Sequence, residues 1–532
     1  MTSKFWGKNT LTDISCYQSC LNSQRQNNPF KKMAGNLTEA EEMGNLTEAE
    51  EIENIKSYLD SFFLIVMGCI VFLMQCGFAL LEAGAVRSKN TVNILIKNML
   101  DALIGGVVYW ACGWAFAYGE GSSGFMGTSQ FFFVGFDGKD YPSWFFQFVF
   151  AATTATIVSG AIAERCTMVA YFAYSIILTG WVYPVVSHWA WDSDGWLNQN
   201  GYMDFAGSGV VHLTGGICAL VATFLMQPRI GRFNKLGKPV DMAGHSVPLA
   251  GLGGFILLFG FLAFNGGSQL AISGPGDVET VGLAIVNTII GGCSSGLGVL
   301  LINRFILGRK WSYLMSLNGA LTGMVSQCAG CNVYQPWAAF IIGVISGPVY
   351  LGVSSLMLRF KLDDPLDAVA VHAGGGILGV ICAPFFMNEK GIFWMASLEK
   401  DEVGTTLNAL AFNVAGMFAI GAWAAFWSLT IFGTLKGVRM LRVDRETEVR
   451  GNDLVKHGEA AYPRDAWLEL QYAVKNTIQA GNITPISSAT ITRTIPGIRE
   501  NGVEPEPDYH QDPNALLPVM SKIFKRSISF KY

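Results

Sequence analysis

Charge is scarce in this 532-residue chain. Asp, Glu, Lys and Arg together make up 14% of the residues, whereas apolar residues make up 51%. So little charge argues against a set of soluble domains, which need polar surfaces. Apolar runs of roughly 20 residues recur instead, and each is long enough to cross about 30 Å of hydrocarbon as a helix. The composition therefore predicts an all-α, polytopic membrane protein.

Motifs for metal-dependent catalysis are also lacking. No H-E-x-x-H occurs, and the chain has only six histidines. Cys328 and Cys331 form one C-x-x-C, but no second pair completes a zinc site, so packing or a local disulfide is expected there. Cys16 and Cys20 lie in the polar N-terminal stretch, where a disulfide depends on an extracellular location. We expect no metal, no cofactor, no enzymatic activity and no nucleic-acid partner.

Eleven apolar spans are predicted along the chain. They are placed at 58–82, 98–119, 144–164, 168–190, 207–227, 246–267, 279–302, 313–330, 334–358, 366–387 and 405–435. No basic leader with a cleavage site opens the sequence, so the first span is expected to be an uncleaved anchor.

Basic residues are distributed unevenly between the two sets of loops. The loops after odd-numbered spans hold thirteen of them: Arg87, Lys89, Lys97, Arg165, Arg229, Arg232, Lys235, Lys238, Arg304, Arg309, Lys310, Arg359 and Lys361. The loops after even-numbered spans hold three: Lys139, Lys390 and Lys400. Because cytosolic loops carry the excess of Lys and Arg, the N-terminus is predicted outside and the C-terminus inside.

Both ends of the chain are polar. Residues 1–56 contain the stretch GNLTEAEE twice, and each copy holds an N-x-T sequon, at Asn36 and Asn45. An extracellular N-terminus would make both asparagines candidates for glycosylation. We therefore divide the chain into an extracellular tail (1–56), an eleven-helix membrane domain (57–436) and a cytosolic tail (437–532), partly disordered by its composition.

One motif occurs twice inside the apolar region. DFAGSGVVHLTGGI (204–217) and DPLDAVAVHAGGGI (364–377) both read D-x7-H, and each histidine is followed by Gly at +3 and +4. The motifs fall in spans 5 and 10, which cross the membrane in opposite directions. This pattern predicts an inverted repeat of spans 1–5 and 6–10 around a central pore. His212 and His372 would then meet near the axis and share a hydrogen bond, although helix packing alone could also hold them.

Three aspartates accompany these motifs. Asp204 and Asp364 each stand at the start of a span, where a carboxylate is stabilised by free backbone N–H groups and the helix dipole. We interpret Asp364 and Asp367 as structural carboxylates. Asp204 has the same structural interpretation, and its charge at the predicted outer face could also attract a cation.

Aromatic residues cluster at the predicted outer ends of the spans. Phe146 and Phe150 lie four residues apart on one face of span 3. Phe264 and Ser268 have the same spacing at the end of span 6, with Phe261 one turn earlier, and Trp191 ends span 4. An aromatic face with one hydroxyl suits a small cation through cation–π attraction and a hydrogen bond. Interfacial aromatic belts are the alternative explanation.

The sequence resembles the ammonium transporter family (Amt/Mep/Rh) over nearly the whole membrane region. The similar stretches are GFALLEAGAVRSKN, FAATTATIVSGAIAER, DFAGSGVVHLTGGI, FLAFNGGS and DDPLDAVAVHAGGG. VYPVVSHWAWDSDGW and the tail element HGEAAY resemble the Amt branch in particular.

The resemblance implies a plasma-membrane homotrimer in a lipid bilayer, with one pore per subunit for ammonium or ammonia and methylammonium as an analogue. Residues matching the family's functional positions are the pore histidines His212 and His372, the gate phenylalanines Phe150 and Phe264, and the external site of Phe146, Trp191, Ser268 and Asp204. Two positions depart from the family pattern: Phe261, where Trp is common, and Asn452, where the tail motif G-L-D has Leu.

The implied mechanism agrees with the physical chemistry of the substrate. Ammonium differs from potassium in having N–H donors and a removable proton, and a dry pore penalises any ion that keeps its charge. Deprotonation near the gate would let ammonia pass the histidines, with or without separate proton transfer. Three alternatives remain open: a neutral NH3 or CO2 channel of Rh type, an intramembrane metalloenzyme, and an ammonium sensor that signals through its tail.

Overall fold

The computed structural model describes residues 48–121 and 123–462. The predicted sites at Cys16, Cys20, Asn36 and Asn45 lie outside these residues, as does most of the C-terminal tail. Within them the regular secondary structure is helical, with isolated β-bridges as the exception.

Residues 48–121 and 123–462 form a bundle of eleven principal helices. In chain order they are α1 (Glu48–Ala85), α2 (Ser88–Tyr118), α3 (Gly138–Ala161), α4 (Met168–Gln199), α5 (Ser208–Met226), α6 (Val247–Gln269), α7 (Asp277–Ile306), α8 (Tyr313–Gln327), α9 (Pro336–Arg359), α10 (Val369–Phe386) and α11 (Lys400–Gly437). In the described part of the chain ten of these are long and apolar enough to cross a membrane. The polytopic helical fold is confirmed. The count of eleven spans stays a prediction, because α8 has only 15 residues.

Glycine brings the helix backbones close together where α1 meets α6. A Cβ atom on Gly84 would lie 2.3 Å from the Ala250 nitrogen, and one on Gly253 would lie 2.2 Å from the Leu81 nitrogen. No side chain fits at either position. Small residues allow this approach between membrane helices, where packing rather than the hydrophobic effect drives association.

The helices α5 and α10 contact each other reciprocally. A Cβ on Gly216, four residues after His212, would lie 2.3 Å from the Ala373 nitrogen, and one on Gly376 would lie 2.9 Å from the Leu213 nitrogen. Each glycine thus faces the residue after the other helix's histidine, as a twofold relation between the repeats requires. Both helices also begin with a π-helical turn, over Ser208–Leu213 and Val369–Gly374.

Two helices begin ten residues before the spans predicted for them, and the first is α1, which starts at Glu48 rather than at 58. The second span was predicted from residue 98, with Lys97 in the preceding loop, but α2 already begins at Ser88. Lys97 is 1% exposed inside this helix, and its Nζ donates to the Cys166 carbonyl at 2.8 Å. Protein rather than water surrounds this lysine, so it does not count as a loop charge. The basic residues then number twelve against three, and the predicted orientation is unchanged.

Buried ions join the ends of several helices on the predicted cytosolic side. Arg229, after α5, contacts Asp363 through Nε at 2.7 Å and through Nη2 at 3.0 Å, and its Nη1 lies 2.9 Å from Glu164. Burial alone would raise the pKa of Asp363, but the hydrogen bonds and charge of Arg229 lower it to about 2. This network ties the ends of α3 and α5 to the segment before α10.

Glycosylation tests the predicted orientation. Expression in a host that glycosylates secreted proteins should add mass that disappears on enzymatic deglycosylation, because both sequons would face the lumen. The double variant with Asn36→Gln and Asn45→Gln should migrate like the deglycosylated protein. Absence of any glycan on the unmutated chain would remove this support for an outside N-terminus.

Candidate functional site

The two motif histidines meet in the centre of the bundle. His212 Nδ1 lies 3.1 Å from His372 Nδ1, although 160 residues separate them in sequence. The ring centroids are 5.2 Å apart, and the ring planes differ by 19°. Two ring nitrogens at this distance share one proton, so one histidine donates and the other accepts. Both side chains are buried, and His212 Nε2 has no partner among the described residues.

Two stacked phenylalanines lie directly next to this pair. Phe150 on α3 and Phe264 on α6 have ring centroids 4.0 Å apart and planes at 19° to each other. The Phe264 ring lies 5.4 Å from His212. Both rings are at most 1% exposed. The structure therefore brings the predicted gate residues together and leaves no open passage between their rings.

More aromatic side chains continue the series away from the histidines. Phe146 lies 4.9 Å from Phe150, and Trp191 packs edge-on against Phe150 at 6.0 Å. Trp191 Nε1 donates to the Asp204 carbonyl at 2.7 Å, which fixes the indole. Ser268 Oγ donates to the Phe264 carbonyl at 2.8 Å, so its oxygen keeps free acceptor capacity. Of the predicted external-site residues, Phe146 and Trp191 thus contact Phe150, whereas Ser268 contacts Phe264.

The motif aspartates cap the starts of α5 and α10. Asp204 accepts hydrogen bonds from the backbone N–H groups of Gly207 at 3.2 Å, Gly209 at 2.8 Å and Val210 at 2.8 Å. Burial raises the pKa of Asp204 to about 6 against the lowering effect of these bonds. The three hydrogen bonds direct both carboxylate oxygens at the backbone, which is a helix-capping geometry.

The second repeat shows the same capping with fewer bonds. Asp364 accepts from the N–H groups of Val369 at 2.8 Å and Leu366 at 3.3 Å. Burial and the neighbouring Asp367 raise the pKa of Asp364 to about 7. Asp367 itself accepts from the Tyr350 hydroxyl at 2.9 Å and Ser354 at 3.0 Å, and so ties this segment to α9.

A small cavity continues the path on the other side of the histidines. It has a volume of about 30 Å³, and its lining includes His372, Phe261 and Glu82. A cavity needs at least about 10–15 Å³ to hold one water molecule, so this cavity has room for one or two molecules of the size of water or ammonia. A wider vestibule of about 210 Å³ follows, lined by Arg229, Asp364 and others. Three residues border both spaces: Leu81, Asn318 and Leu366.

Sequence reasoning missed Glu82 as a pore-side residue. The available signal was a carboxylate near the end of an apolar span, within LLEAGAVR. For the described residues, no three His, Cys, Asp or Glu side chains are grouped so that they could hold a metal ion. Cys328 and Cys331 are both buried free thiols.

Comparisons with known proteins find similar sequences. The chain is 44% identical over 487 residues to "Putative ammonium transporter 1" of Caenorhabditis elegans, covering 87% of this chain and 90% of the relative. It is 36% identical over 433 residues to "Ammonium transporter 1 member 3" of Solanum lycopersicum, covering 77% and 94%.

Solved structures show the same fold. A "Sensor Amt Protein" superposes with a TM-score of 0.70 at 34% identity, over 76% of this chain and 100% of that one. Candida albicans Mep2 superposes with a TM-score of 0.67 at 26% identity, over 76% and 90%. The family model for the "Ammonium Transporter Family" matches residues 61–462. The chain therefore belongs to the ammonium transporter family.

Proposed function

We propose that this protein carries ammonium across the plasma membrane by binding it at the outer aromatic site, deprotonating it at the gate and conducting ammonia past the paired histidines. The observation that carries the proposal is the continuous series of ring contacts from Trp191 through Phe150 and Phe264 to His212 and His372. The proposed direction and side of each step follow the predicted orientation.

The outer site can attract ammonium without forming a buried ion pair with it. The faces of Phe146 and Trp191 can bind a small cation through their ring quadrupoles, worth roughly 0.5–2 kcal/mol each depending on desolvation. Ser268 can accept one N–H bond from ammonium, which potassium cannot offer. The hydrogen bond from Trp191 to the Asp204 carbonyl orders the indole before the cation arrives.

The gate excludes charge. Phe150 and Phe264 stack too closely for a hydrated ion to pass between them, and a bare cation in this apolar setting lacks compensation for its lost hydration. Ammonium can give up its proton and continue as a neutral molecule. Fluctuations of the two rings that open a gap the size of ammonia are then enough for conduction.

The histidine pair provides polar contacts in an otherwise apolar pore. Ammonia can both donate and accept hydrogen bonds, so it matches a pair in which one imidazole donates and the other accepts. A chain of hydrogen-bonded imidazoles is also suited to proton transfer. The proton can return outward, which gives net gas conduction, or cross separately, which gives electrogenic transport.

We propose that the protein works as a homotrimer in the lipid bilayer, with one pore per subunit. Large apolar side chains are exposed along the outer helices, including Phe418, Phe426 and Phe255. Such residues suit contact with lipid or with neighbouring subunits. Native mass spectrometry of detergent-solubilised protein should give three times the subunit mass.

Two-electrode recording in oocytes tests the function directly. External ammonium and methylammonium are stepped at several pH values, with sodium and potassium as controls. A saturable inward current that ignores sodium and potassium supports electrogenic ammonium transport. Ammonium-dependent pH changes without current support conduction of the neutral species. Absence of both in protein that reaches the membrane would contradict the proposal.

Asp204 variants separate capping from cation attraction. Asp204→Ala leaves three backbone N–H groups without their acceptor, and each costs about 1–3 kcal/mol when buried, so we expect little folded protein. Asp204→Asn keeps one acceptor oxygen and should fold less stably than the unmutated chain. Size-exclusion chromatography after heating in detergent measures both effects.

External pH then reports on the charge of Asp204. Because its pKa is raised to about 6, the carboxylate becomes neutral as the pH falls through that value. The apparent KM for ammonium should therefore rise several-fold between about pH 7.5 and about pH 5 in the unmutated protein. Asp204→Asn should show a high KM that changes little over this range. Equal pH profiles for the two proteins would restrict Asp204 to its capping role.

A further inference from the structure

A buried carboxyl group lies beside the pore on the inner side of the histidines. Glu82, on the last turns of α1, is 1% exposed and lines the same small cavity as His372. Charged side chains within a membrane are costly, and they usually mark an ion or proton pathway. The route from the gate to the histidines makes no use of this residue.

The hydrogen bonds of Glu82 leave it able to exchange a proton. Ser159 donates to Oε1, and the Asn98 amide donates to Oε2 at 2.8 Å. Each oxygen therefore keeps one further lone pair. Among the described residues, no Lys, Arg or His forms an ion pair with this carboxyl group. A purely structural ion pair would instead fix it in the charged form.

The titratable groups around Glu82 are few. Lys97 and Asp101 on α2, and Tyr171 and Tyr174 on α4, interact with it electrostatically. Lys97 Nζ is bound to the Cys166 carbonyl, and Asp101 accepts hydrogen bonds from Tyr171 and Ser175. His372 on α10 faces the same cavity. The histidine is thus the one of these groups that shares the pore space with Glu82.

The cavity connects this carboxyl group to both neighbouring compartments. On one side it reaches His372, and it has room for a water or ammonia molecule. On the other side Leu81, which precedes Glu82, also borders the vestibule on the predicted cytosolic side. The cavity therefore lies between His372 and the vestibule.

We propose that Glu82 is the proton-exchange residue at the inner end of the pore, which returns a proton to ammonia before it enters the vestibule. The proposal rests on the ammonium transport proposed above. The Glu82 O–H bond breaks as a fourth N–H bond forms, so ammonia and the carboxyl group become ammonium and carboxylate. The carboxylate then takes up the proton released at the gate, delivered by the histidine pair and a water molecule in the cavity. One ammonium ion and one charge cross per cycle.

Removing the carboxyl group of Glu82 should uncouple the movement of charge from the transport of substrate. Without a carboxyl group ammonia still passes the histidines, but the proton lacks an acceptor beyond them. Current should therefore fall much more than substrate flux. A residue that only maintained the pore shape would change both quantities together.

The test is Glu82→Gln in voltage-clamped oocytes, with current and labelled methylammonium uptake measured in the same cells. We expect the charge moved per methylammonium to fall about a hundredfold, the low end of the effect of losing an acid–base group, while uptake stays within about threefold. Glu82→Asp should restore much of the ratio. Glu448→Gln is the matched control, because this buried glutamate borders neither cavity and does not interact with Glu82, and its ratio should equal that of the unmutated protein.

Other outcomes would overturn the inference. An unchanged charge ratio in Glu82→Gln would exclude the proton role, and an equal loss of current and uptake would show a structural one. Should Glu82→Gln not reach the membrane, Ser159→Ala removes one donor to the carboxyl group. This change should shift the pH profile of the current to higher pH, and an unshifted profile would also exclude the role. Unmutated protein without methylammonium uptake would instead refute the proposed function.

Discussion

Alanine at His212 or His372 should lower the ratio of ammonium to potassium current at least about tenfold, equivalent to about 1.4 kcal/mol of discrimination. Each substitution removes one ring of a pair held at 3.1 Å and leaves space behind the Phe264 ring. Water can occupy this space, because the remaining imidazole offers it a hydrogen bond. In a hydrated pore a permeating cation no longer has to lose its proton, so the potassium current should increase more than the ammonium current.

The matched control is His188→Ala. His188 is also buried in the membrane region, but its Nδ1 bonds to the Ala117 carbonyl at 2.8 Å, away from the stacked rings. Currents are normalised to surface protein, so that differences in folding do not enter the ratio. Unchanged selectivity in both pore variants would count strongly against the pore assignment of the histidine pair.

Arg229→Ala should abolish most folded protein at the membrane. The substitution removes the closest cation of the buried Asp363, which keeps Arg232, and one of the two cations of Glu164, which keeps Arg87. Breaking a buried pair in this way costs about 3–5 kcal/mol. This is a large part of the stability of a typical domain. Surface labelling and the melting temperature in detergent measure the loss.

An exposed ion pair provides the comparison. Arg450 and Glu446 lie 2.9 Å apart, but their side chains are 67% and 76% exposed, so Arg450→Ala should change stability by less than about 1 kcal/mol. Similar losses in both variants would show that the buried network contributes no more than a surface pair.

Acid should weaken the same network. Because the folded-state pKa of Asp363 is lowered to about 2, its contribution is present above about pH 4 and is lost as the pH falls through 2. The shift corresponds to roughly 2–3 kcal/mol.

The helices and the histidine pair were predictable from the sequence, because a polar residue is conspicuous within an apolar run. A single histidine in an apolar run does not indicate its partner. The repeated D-x7-H pattern does, because a symmetric repeat brings two residues 160 positions apart together. The start of α2 was not predictable in this way. Lys97 looks like a loop residue by polarity, and only the structure shows the carbonyl group that satisfies it.

Glu82 illustrates the same difficulty. Its position near the end of α1 suits both a helix end in water and a buried site beside a pore. Local composition cannot separate these, because the difference depends on which helices pack against it. Ser159 and Asn98 are polar residues on two other helices, and nothing in their own segments indicates a shared carboxyl partner.

The π-helical turns that begin α5 and α10 make the length of each motif as important as its composition. Each turn accommodates one more residue than an α-helical turn would. Deleting a single residue between Asp204 and His212 while the π-helical turn is kept would rotate the imidazole by about 100° relative to its cap. The ring would then point away from its partner. Homologous sequences should therefore vary more readily in the identity of the seven intervening residues than in their number, and a one-residue gap in such an alignment would mark a pore of a different kind.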